Sequence, residues 1–484
     1  MVVAHDHQNG VTDRFGARER LEKTWADLCA EYLPISDDNS IWRYSRSSVE
    51  GDPDQGWKLH VSATILNAPR ILERIAPALS ECGVQFKAAR SLTDVITLNS
   101  GLQQSYSQVG KVITVYPRDN REAVHLARRL DKLTFRFRAP SVPFDLRFGD
   151  ASNIYYRYGA FKHLEIERDG RLIPAVLSAG GELVPDMREN PKPPWVSDPF
   201  QNLASNRKPR RSKPVTPSSF QVVRALVQRG KGGVYQAIDV RSNPPRLFLL
   251  KEGRRHGELD WEGRDGAWRI RNEERVLSRL SRCNIKVPKV YSRFEVAGNV
   301  YLVMEFVDGE TLHNLLLRQK RRLSIRSVLA FGIQLAAFLA QMHRAGWAWR
   351  DCKPNNLIVS RTDHIVPIDF EGAERISRPD TSLWGTPGFI PLASRKQASH
   401  TGLTDDLYAL GSILFLMISG QMFEDAHPVR IFKLRRKTPL ELTRLVESLL
   451  ADTPQLRPSA LQTEASLNSI LMNLKQRRMQ SARA

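Results

Sequence analysis

Basic side chains and one histidine recur in short strand-like segments of the first half of the chain. Lys58 and His60 are two positions apart in WKLHVSA, so their side chains lie on one face of a strand. Further cations and a tyrosine follow in or near other such segments: Lys87, Arg90, Lys111, Tyr116, Arg147 and Arg157. If they converge with His60, they form a phosphate-binding site that contains an acid–base group. Spacing alone leaves a second interpretation, a solvated basic surface with a hydrogen-bonded histidine.

Periodicity predicts the elements that must position these side chains. β-Branched and aromatic residues predict strands at residues 56–63, 83–89, 111–117 and 153–161. Apolar residues at helical spacing predict helices at residues 18–32, 67–83 and 121–133. Downstream, strands over 220–305 give way to helices over 310–475. We therefore predict an α+β chain: a mixed α+β first domain, then a bilobal domain.

One block in the second half, WRDCKPNNL followed by IDFEG, resembles the catalytic loop and the metal-binding segment of protein kinases. Asp351 precedes Asn356 by five positions and Asp369 by eighteen, which is the spacing of that family. The resemblance implies that Asp351 orients the attacking hydroxyl and that Lys353 neutralises the γ-phosphate of ATP. It also implies that Asn356 and Asp369 hold Mg²⁺ on the phosphates.

Upstream segments resemble the small lobe of a kinase in their order. By this resemblance, Lys251 at the end of an apolar strand contacts the nucleotide phosphates, and Glu273 is its ion-pair partner. YLVMEFVDGETL resembles the hinge, with Met304 and Glu305 at the nucleotide. The glycine-rich segment RGKGGVY brings backbone amides toward phosphate through its three glycines, Gly230, Gly232 and Gly233.

The kinase-like half also departs from the family. Its glycine-rich segment is not a full G-x-G-x-x-G, and Trp349 replaces the histidine before the Arg-Asp pair. The family's Ala-Pro-Glu is missing after Gly385-Thr386-Pro387, and Arg457 would pair with that glutamate. These departures bear on activation-loop control more than on catalysis, because the base and metal positions are intact.

Residues 25–200 resemble the N-terminal lyase domain of class III and IV lanthipeptide synthetases, which is similar to bacterial phosphothreonine lyases. The matching phrases include GWKLHVSAT, GVQFKAARSL, GKVITVYP, YYRYGAF and PPWVSDPF. The resemblance implies that Lys87 is the general base for the α-proton and that His60 is the general acid for phosphate departure. It implies contacts to phosphate and enolate for five others: Lys58, Lys111, Tyr116, Arg147 and Arg157. A lysine acts as a base only when its pKa is depressed, which burial and neighbouring cations achieve.

The combined resemblance predicts a lanthipeptide dehydratase. It would phosphorylate Ser and Thr of a ribosomal precursor peptide with ATP and Mg²⁺, then eliminate phosphate to give dehydroalanine and dehydrobutyrine. We expect no LanC-type cyclase domain, so that ring closure is spontaneous or falls to separate modifying enzymes. Two alternatives are a Ser/Thr kinase with a non-catalytic phosphopeptide-binding first domain, and a pseudokinase scaffold.

The expected domain organisation has four parts. Residues 1–24 are an N-terminal extension, 25–200 the lyase-like domain, 201–219 a basic Pro/Ser-rich linker and 220–484 the kinase-like domain. Within the kinase-like domain, the small lobe is expected at about 220–307 and the large lobe at about 308–475.

Composition indicates the kind of binding partner and the cellular compartment. A net charge of +20 predicts an acidic or phosphorylated partner, but charge alone does not separate nucleic acid from a phosphopeptide, ATP or an acidic peptide. The resemblance to lanthipeptide synthetases implies a precursor peptide as the partner, and we do not expect nucleic acid. Four scattered cysteines without a C-x-x-C pair fit a reducing cytoplasm. The first residues lack the apolar core of a signal peptide, and the apolar run Leu407–Ser419 is too short to span a bilayer, so we expect no membrane association.

Overall fold

The computed structural model describes residues 3–36, 39–201, 220–319, 322–379, 384–396, 402–423 and 438–481. The predicted linker at 201–219 lies outside these residues, apart from its first position. The chain forms two compact units. The first comprises residues 1–244, 251–268 and 294–301; the second comprises residues 245–250, 269–293 and 302–484.

The first part of the chain is built on a seven-stranded antiparallel sheet of order β1-β2-β4-β5-β3-β7-β6. In chain order its elements are α1 (Val3–Tyr32), β1 (Ile35–Ser36), β2 (Trp42–Tyr44), β3 (Gln55–Val61), α2 (Ala68–Glu81), β4 (Gln85–Ala89), α3 (Leu92–Ser100), β5 (Ile113–Tyr116), α4 (Asn120–Thr134), β6 (Leu146–Arg147) and β7 (Ile154–Ala160). A short 3₁₀ turn, Tyr106–Gln108, lies between α3 and β5. A separate three-stranded sheet follows, with order β10-β9-β8: β8 (Glu165–Arg168), β9 (Arg171–Leu177) and β10 (Leu183–Pro185).

The register of the central strands gives the large sheet one apolar and one polar face. Leu59, Val115 and Phe86 lie opposite one another on three adjacent strands and are fully buried in the core. Amphipathic helices α2 and α4 supply the other side of that core with residues such as Ile75 and Leu130. Because side chains alternate between faces, the residues next to Leu59 and Phe86 in the chain point to the opposite face.

The second half of the chain begins with a five-stranded sheet of order β11-β12-β13-β15-β14, whose residues are divided between the two units. Its elements are β11 (Phe220–Arg229), β12 (Gly232–Asp239), β13 (Arg246–Gly253), α5 (Gly266–Arg282), β14 (Val290–Val296) and β15 (Asn299–Glu305). Arg229 pairs with Gly232, so only two residues make the turn between the first two strands.

Helices dominate the remainder, which belongs to the second unit. The elements are β16 (Glu310–Thr311), α6 (Leu312–Arg318), α7 (Ile325–Arg344), β17 (Trp347–Ala348), β18 (Leu357–Val359), β19 (Ile365–Pro367), β20 (Glu374–Arg375), α8 (Leu392–Lys396), α9 (Leu403–Ser419), α10 (Leu440–Leu449) and α11 (Ala460–Ser481). Helix α9 contains the predicted apolar run, and all its residues from Asp405 onward are buried. The predicted α+β class, with a sheet-rich lobe before a helical lobe, is confirmed.

One described helix, α7, is long and apolar enough to cross a membrane by length and composition alone. It packs against α9 and α11, and more than half of its most apolar stretch is buried in the protein. This is the burial pattern of a core helix.

Candidate active sites: a cationic cavity and a catalytic loop

A cavity of about 630 Å³ lies on the polar face of the seven-stranded sheet, inside the first unit. Six of the seven side chains expected to act on phosphate line it: Lys58, His60, Lys87, Lys111, Tyr116 and Arg157. The register explains this convergence. Lys87, Thr114 and His60 are aligned across β4, β5 and β3, and Lys58 is paired with Arg157 on β7.

Arg147 does not line the cavity. It continues the same row of paired residues beyond Tyr155, at the edge strand β6. Its guanidinium donates instead to the backbone carbonyls of Asp150 and Ser152 and lies over the ring of Tyr155. Arg147 therefore holds the loop between β6 and β7. The expected phosphate contact of Arg147 is not supported, because this side chain does not line the cavity.

Two lysines of the cavity are poised to lose their protons. Burial, reinforced by the Lys87 and Arg157 charges, lowers the pKa of Lys58 to about 7. Burial, reinforced by Arg188, lowers the pKa of Lys87 to about 8. The Lys87 ammonium lies 4.2 Å from the ring centroid of Trp42, a contact that favours its protonated form and limits the shift. A lysine with such a pKa can accept a proton near neutral pH.

Asp145 holds His60 and Lys111 and was not identified from the sequence. Its buried carboxylate accepts from Nδ1 of His60 at 2.5 Å and from Nζ of Lys111 at 2.8 Å. Burial opposes ionisation of Asp145, but His60 and Lys111 outweigh it and hold its pKa at about 2. Because Nδ1 is committed to Asp145, Nε2 is the imidazole nitrogen available to a substrate. A lone Asp in an irregular segment carries no periodic signal that could have revealed it.

His60 is neutral in the cavity at neutral pH. Burial is the main cause that lowers its pKa, to about 3, and Asp145 only partly offsets it. A phosphate group beside the ring would raise this pKa, because a neighbouring negative charge favours the protonated imidazole. The arrangement thus allows His60 to be charged only when an anion occupies the cavity.

The resemblance to a lyase domain implies phosphate elimination with His60 as the general acid. If so, we expect Asp145→Asn to slow elimination about 100-fold, because a misoriented general acid loses a contribution of about that factor. The amide cannot hold both His60 and Lys111 as the carboxylate does. Phosphate release from a synthetic phosphothreonine peptide measures the effect. Asp54→Asn is the matched control, because that carboxylate is half exposed and pairs with Lys162. Parental release by Asp145→Asn would contradict the role given to Asp145.

The segment after β10 closes one side of the cavity and supplies two further residues that the sequence did not reveal. Asp186 accepts from Nη2 of Arg157 at 2.6 Å, and Arg188 lines the cavity beside it. Within the described part of the chain, Nε of Arg157 is buried without a hydrogen-bond partner. Buried donors of this kind are normally satisfied, so an anion's oxygen atom would complete the site.

The second unit holds the predicted catalytic loop. Asp351 Oδ2 accepts from Nζ of Lys353 at 2.8 Å and from Nδ2 of Asn356 at 2.9 Å. Its other oxygen, Oδ1, accepts from the hydroxyl of Thr386 at 3.1 Å. Burial is the main cause that raises the pKa of Asp351, and Lys353 opposes it. Asp351, Lys353 and Asn356 therefore form one hydrogen-bonded cluster, as their spacing predicts.

Buried contacts fix this loop to the metal-binding segment. The Asp406 carboxylate accepts the backbone N–H groups of Trp349 at 2.8 Å and Arg350 at 2.7 Å. Trp349 donates from its indole to the Asp369 carbonyl at 3.0 Å and stacks on Phe370. The tryptophan at this position therefore links the two segments by a hydrogen bond and a ring stack. Arg350 and Asp369 have φ angles of 70° and 66°, strain of the kind that clusters at active sites.

Helix α5 also holds the metal-binding segment. Glu273 is fully buried, and its carboxylate accepts the backbone N–H of Phe370 at 3.2 Å. Asn272 donates to the backbone carbonyls of Glu371 and Ala373. Glu273 therefore helps to hold the segment that contains Asp369. Its expected ion pair with Lys251 stays a prediction.

The remaining predicted nucleotide residues lie on the five-stranded sheet. Lys251 is buried near the end of β13, in the first unit. Met304 is buried on β15, and Glu305 ends that strand and accepts the backbone N–H of Lys289. Gly232 and Gly233 are the first two residues of β12, and Gly230 lies in the turn before that strand. A Cβ added at Gly230 would lie 1.6 Å from a backbone oxygen, and one added at Gly232 would lie 1.8 Å from another.

Comparison with known proteins assigns both halves of the chain. The protein kinase domain model matches residues 221–467, and the model described as RamC, N-terminal domain, matches residues 34–212. The chain belongs to the protein kinase family. The combination of these two domains confirms the resemblance to class III and IV lanthipeptide synthetases.

Individual relatives are consistent with this assignment. The chain is 31% identical over 404 residues to the probable SapB synthase of Streptomyces coelicolor, covering 80% of this chain and 42% of the relative. It is 29% identical over 219 residues to the probable serine/threonine-protein kinase pknA2 of Bifidobacterium longum, covering 44% of this chain and 28% of that protein. The chain thus spans less than half the length of these curated relatives.

Protein kinases use ATP, with a divalent cation on its phosphates. The donor set here suits Mg²⁺, which binds to one or two protein oxygen ligands and completes its shell with phosphate and water. Asn356 donates its Nδ2 to Asp351, so its Oδ1 is the atom that can ligate a cation, alongside the Asp369 carboxylate. Among the described residues no cluster of three His, Cys, Asp or Glu residues forms a cage of protein ligands.

Two arginines of the second unit, Arg350 and Arg457, form buried charged contacts. Arg350 forms a buried ion pair with Glu374 at 2.9 Å. Arg457, whose usual glutamate partner is missing from the sequence, is fully buried beside Asp405 at 3.5 Å and donates to the Thr404 carbonyl at 2.9 Å. Both arginines therefore have carboxylate partners within the second unit.

Proposed function

We propose that the chain is a lanthipeptide dehydratase of two successive activities. The kinase domain phosphorylates Ser and Thr of a ribosomal precursor peptide, and the first domain then eliminates the phosphate. The observation that carries the second step is one cavity containing His60, Lys87 and four further phosphate-directed groups, with Asp145 orienting His60. Four unpaired cysteines fit a cytoplasmic enzyme.

In the first activity, Asp351 accepts the hydrogen bond of the substrate hydroxyl and positions its oxygen for attack. Lys353, 2.8 Å from Asp351, stabilises charge on the transferred phosphoryl group. Asn356 and Asp369 would hold Mg²⁺, which would neutralise charge on the nucleotide phosphates. This donor cluster is intact, so the pseudokinase alternative is not favoured.

In the second activity, Lys87 Nζ removes the α-proton of the phosphorylated residue. The electron pair of that C–H bond forms the Cα=Cβ double bond, and the Cβ–O bond breaks. Phosphate departs with a proton from Nε2 of His60. The negative charge of the bound phosphate raises the pKa of Lys58, which is about 7 in the free cavity, so that Lys58 is protonated and stabilises this charge together with Lys111 and Arg157. A module that only binds phosphopeptide needs none of the proton-transfer features, which disfavours the non-catalytic alternative.

The pH dependence of elimination from a synthetic phosphothreonine peptide tests this mechanism. Lys87 must be neutral and His60 protonated, so the pair must carry one proton in total. In the free cavity that proton is on Lys87, whose pKa is about 8, and not on His60, whose pKa is about 3. We therefore expect kcat/KM to fall above about pH 8, because the shared proton is then lost.

Two results would contradict the proposal. If no phosphate is released from the peptide at any pH, the first domain is not a lyase. If kcat/KM continues to rise well above pH 8, neutral Lys87 is required but the proton on His60 is not. Dehydrobutyrine in the product, detected by mass spectrometry, separates elimination from hydrolysis of the phosphate ester.

A further inference from the structure

The glycine-rich turn of the kinase domain is in close contact with the first domain. Gly230 N–H donates to the Ser100 carbonyl at 3.0 Å. A Cβ at Gly230 would lie 1.6 Å from the Asn99 carbonyl oxygen, a distance that no side chain tolerates. Glycine is therefore required at this position by the neighbouring backbone, whatever it does for a nucleotide.

The segment after β13 strengthens this contact. Arg254 holds the turn with two hydrogen bonds. Its backbone N–H donates to the Lys231 carbonyl, and its guanidinium donates to the Arg229 carbonyl. The same guanidinium lies 4.9 Å from the ring centroid of Tyr106 in the first domain. Trp261, further along the segment, packs against the core of the first domain. All these residues belong to one compact unit.

On its other side, the contacted segment of the first domain is a wall of the cationic cavity. Gln104, Ser105, Ser107 and Gln108 line the cavity between Ser100 and β5. Asn99 closes this loop, because its side chain accepts the backbone N–H of Gly110 and donates to the Ala63 carbonyl. The glycine-rich turn therefore contacts the segment at Ser100, four positions before Gln104, the first of these residues that face the cavity.

We propose that the glycine-rich turn is a joint through which nucleotide binding weakens phosphopeptide binding in the cationic cavity. The Gly230 N–H has one hydrogen to donate. When a nucleotide phosphate accepts this hydrogen bond, the Ser100 carbonyl loses its donor. The wall from Gln104 to Gln108 then loses one of the contacts that hold it in place. The enzyme would thus release the wall while it phosphorylates and restore it for elimination. This inference rests on the proposed lyase activity.

The test is the elimination kinetics of a synthetic phosphothreonine peptide with and without saturating Mg²⁺ and the non-hydrolysable ATP analogue AMP-PNP. We expect the analogue to raise KM for the peptide about fivefold or more, with kcat changed less. Coupling between binding sites is reciprocal, so the peptide must weaken AMP-PNP binding by the same factor. Calorimetric titration of the full chain, with and without the peptide, measures that second factor.

Variants of the joint separate coupling from catalysis. Tyr106→Leu removes the ring that contacts Arg254 and is expected to bring the coupling factor close to one while elimination continues. Arg254→Ala should do the same. Arg255→Ala is its matched control, because it removes the same charge from the adjacent, exposed position and should keep the parental coupling.

Each outcome bears on one proposal. If the peptide is not turned over at all, the lyase assignment fails. If it is turned over with a KM that AMP-PNP leaves unchanged or lowers, the joint does not couple the two sites as proposed. If Tyr106→Leu and Arg254→Ala both retain the parental coupling factor, coupling exists but does not pass through this contact, which also overturns the inference.

Discussion

The Lys87→Ala variant is expected to accumulate phosphorylated precursor peptide in the presence of ATP and Mg²⁺. Phosphorylation should proceed at the parental rate, because Lys87 lies on β4 of the first domain and the catalytic loop belongs to the second unit. Elimination should fall by about 10²- to 10⁴-fold, the contribution of a general base. A mass-spectrometric time course distinguishes the phosphorylated from the dehydrated peptide.

A conservative variant separates the base from its charge. Lys87→Arg keeps a cation in the cavity but cannot release a proton near neutral pH, so it should lose elimination as the alanine variant does. Lys162→Ala is the control for removing a lysine from the same domain, because Lys162 is half exposed and pairs with Asp54. Dehydration at the parental rate by Lys87→Arg would show that the position contributes charge and that the base lies elsewhere.

Strand periodicity explains how much of the cavity the sequence could predict. Once residues 56–63 and 83–89 are strands, Lys58, His60 and Lys87 must lie on faces opposite the apolar residues between them. The structure gives β3 at Gln55–Val61 and β4 at Gln85–Ala89, within two residues of the predicted bounds. Which strands become neighbours is not written in the periodicity, and the resemblance to a lyase domain supplied that information.

Irregular segments explain what the sequence could not predict. Asp145 and Arg188 lie outside the helices and strands. Only the long-range path of the chain brings Arg188 to the cavity and Asp145 to His60 and Lys111, which line it. Arg147 was expected at the site because its type matches, yet its guanidinium bonds with the nearby loop. The short helix α3, the small sheet β8–β10 and the length of α1 were also not anticipated.

Motif spacing was more informative in the kinase domain, because short-range geometry dictates it. Asp351, Lys353 and Asn356 are within five residues of one another, and their contacts follow from one tight loop. The substitutions in the motifs needed the structure to explain them. Trp349 hydrogen-bonds and stacks with the metal-binding segment, and Arg457 has Asp405 as its partner.

The Asp351→Asn variant is expected to lose phosphorylation and keep elimination, the opposite of Lys87→Ala. Asparagine has nearly the shape of aspartate and can keep bonds to Lys353 or Thr386, so the loop should fold. It cannot position and deprotonate the substrate hydroxyl, and peptide phosphorylation should fall by about 10²- to 10⁴-fold. Transfer of phosphate from labelled ATP to the peptide measures the loss. Asp308→Asn is the control, because that carboxylate is exposed and pairs with Arg361 at the surface.

Elimination by the same variant decides whether the two activities are separable. Supplied with a synthetic phosphothreonine peptide, Asp351→Asn should release phosphate at the parental rate, because the groups that line the cationic cavity are unchanged. Lys87→Ala should fail on this peptide although it phosphorylates the unmodified one. If Asp351→Asn lost both activities while it remained folded by circular dichroism, elimination would depend on the kinase site itself. The division of labour between Asp351 and Lys87 would then have to be abandoned.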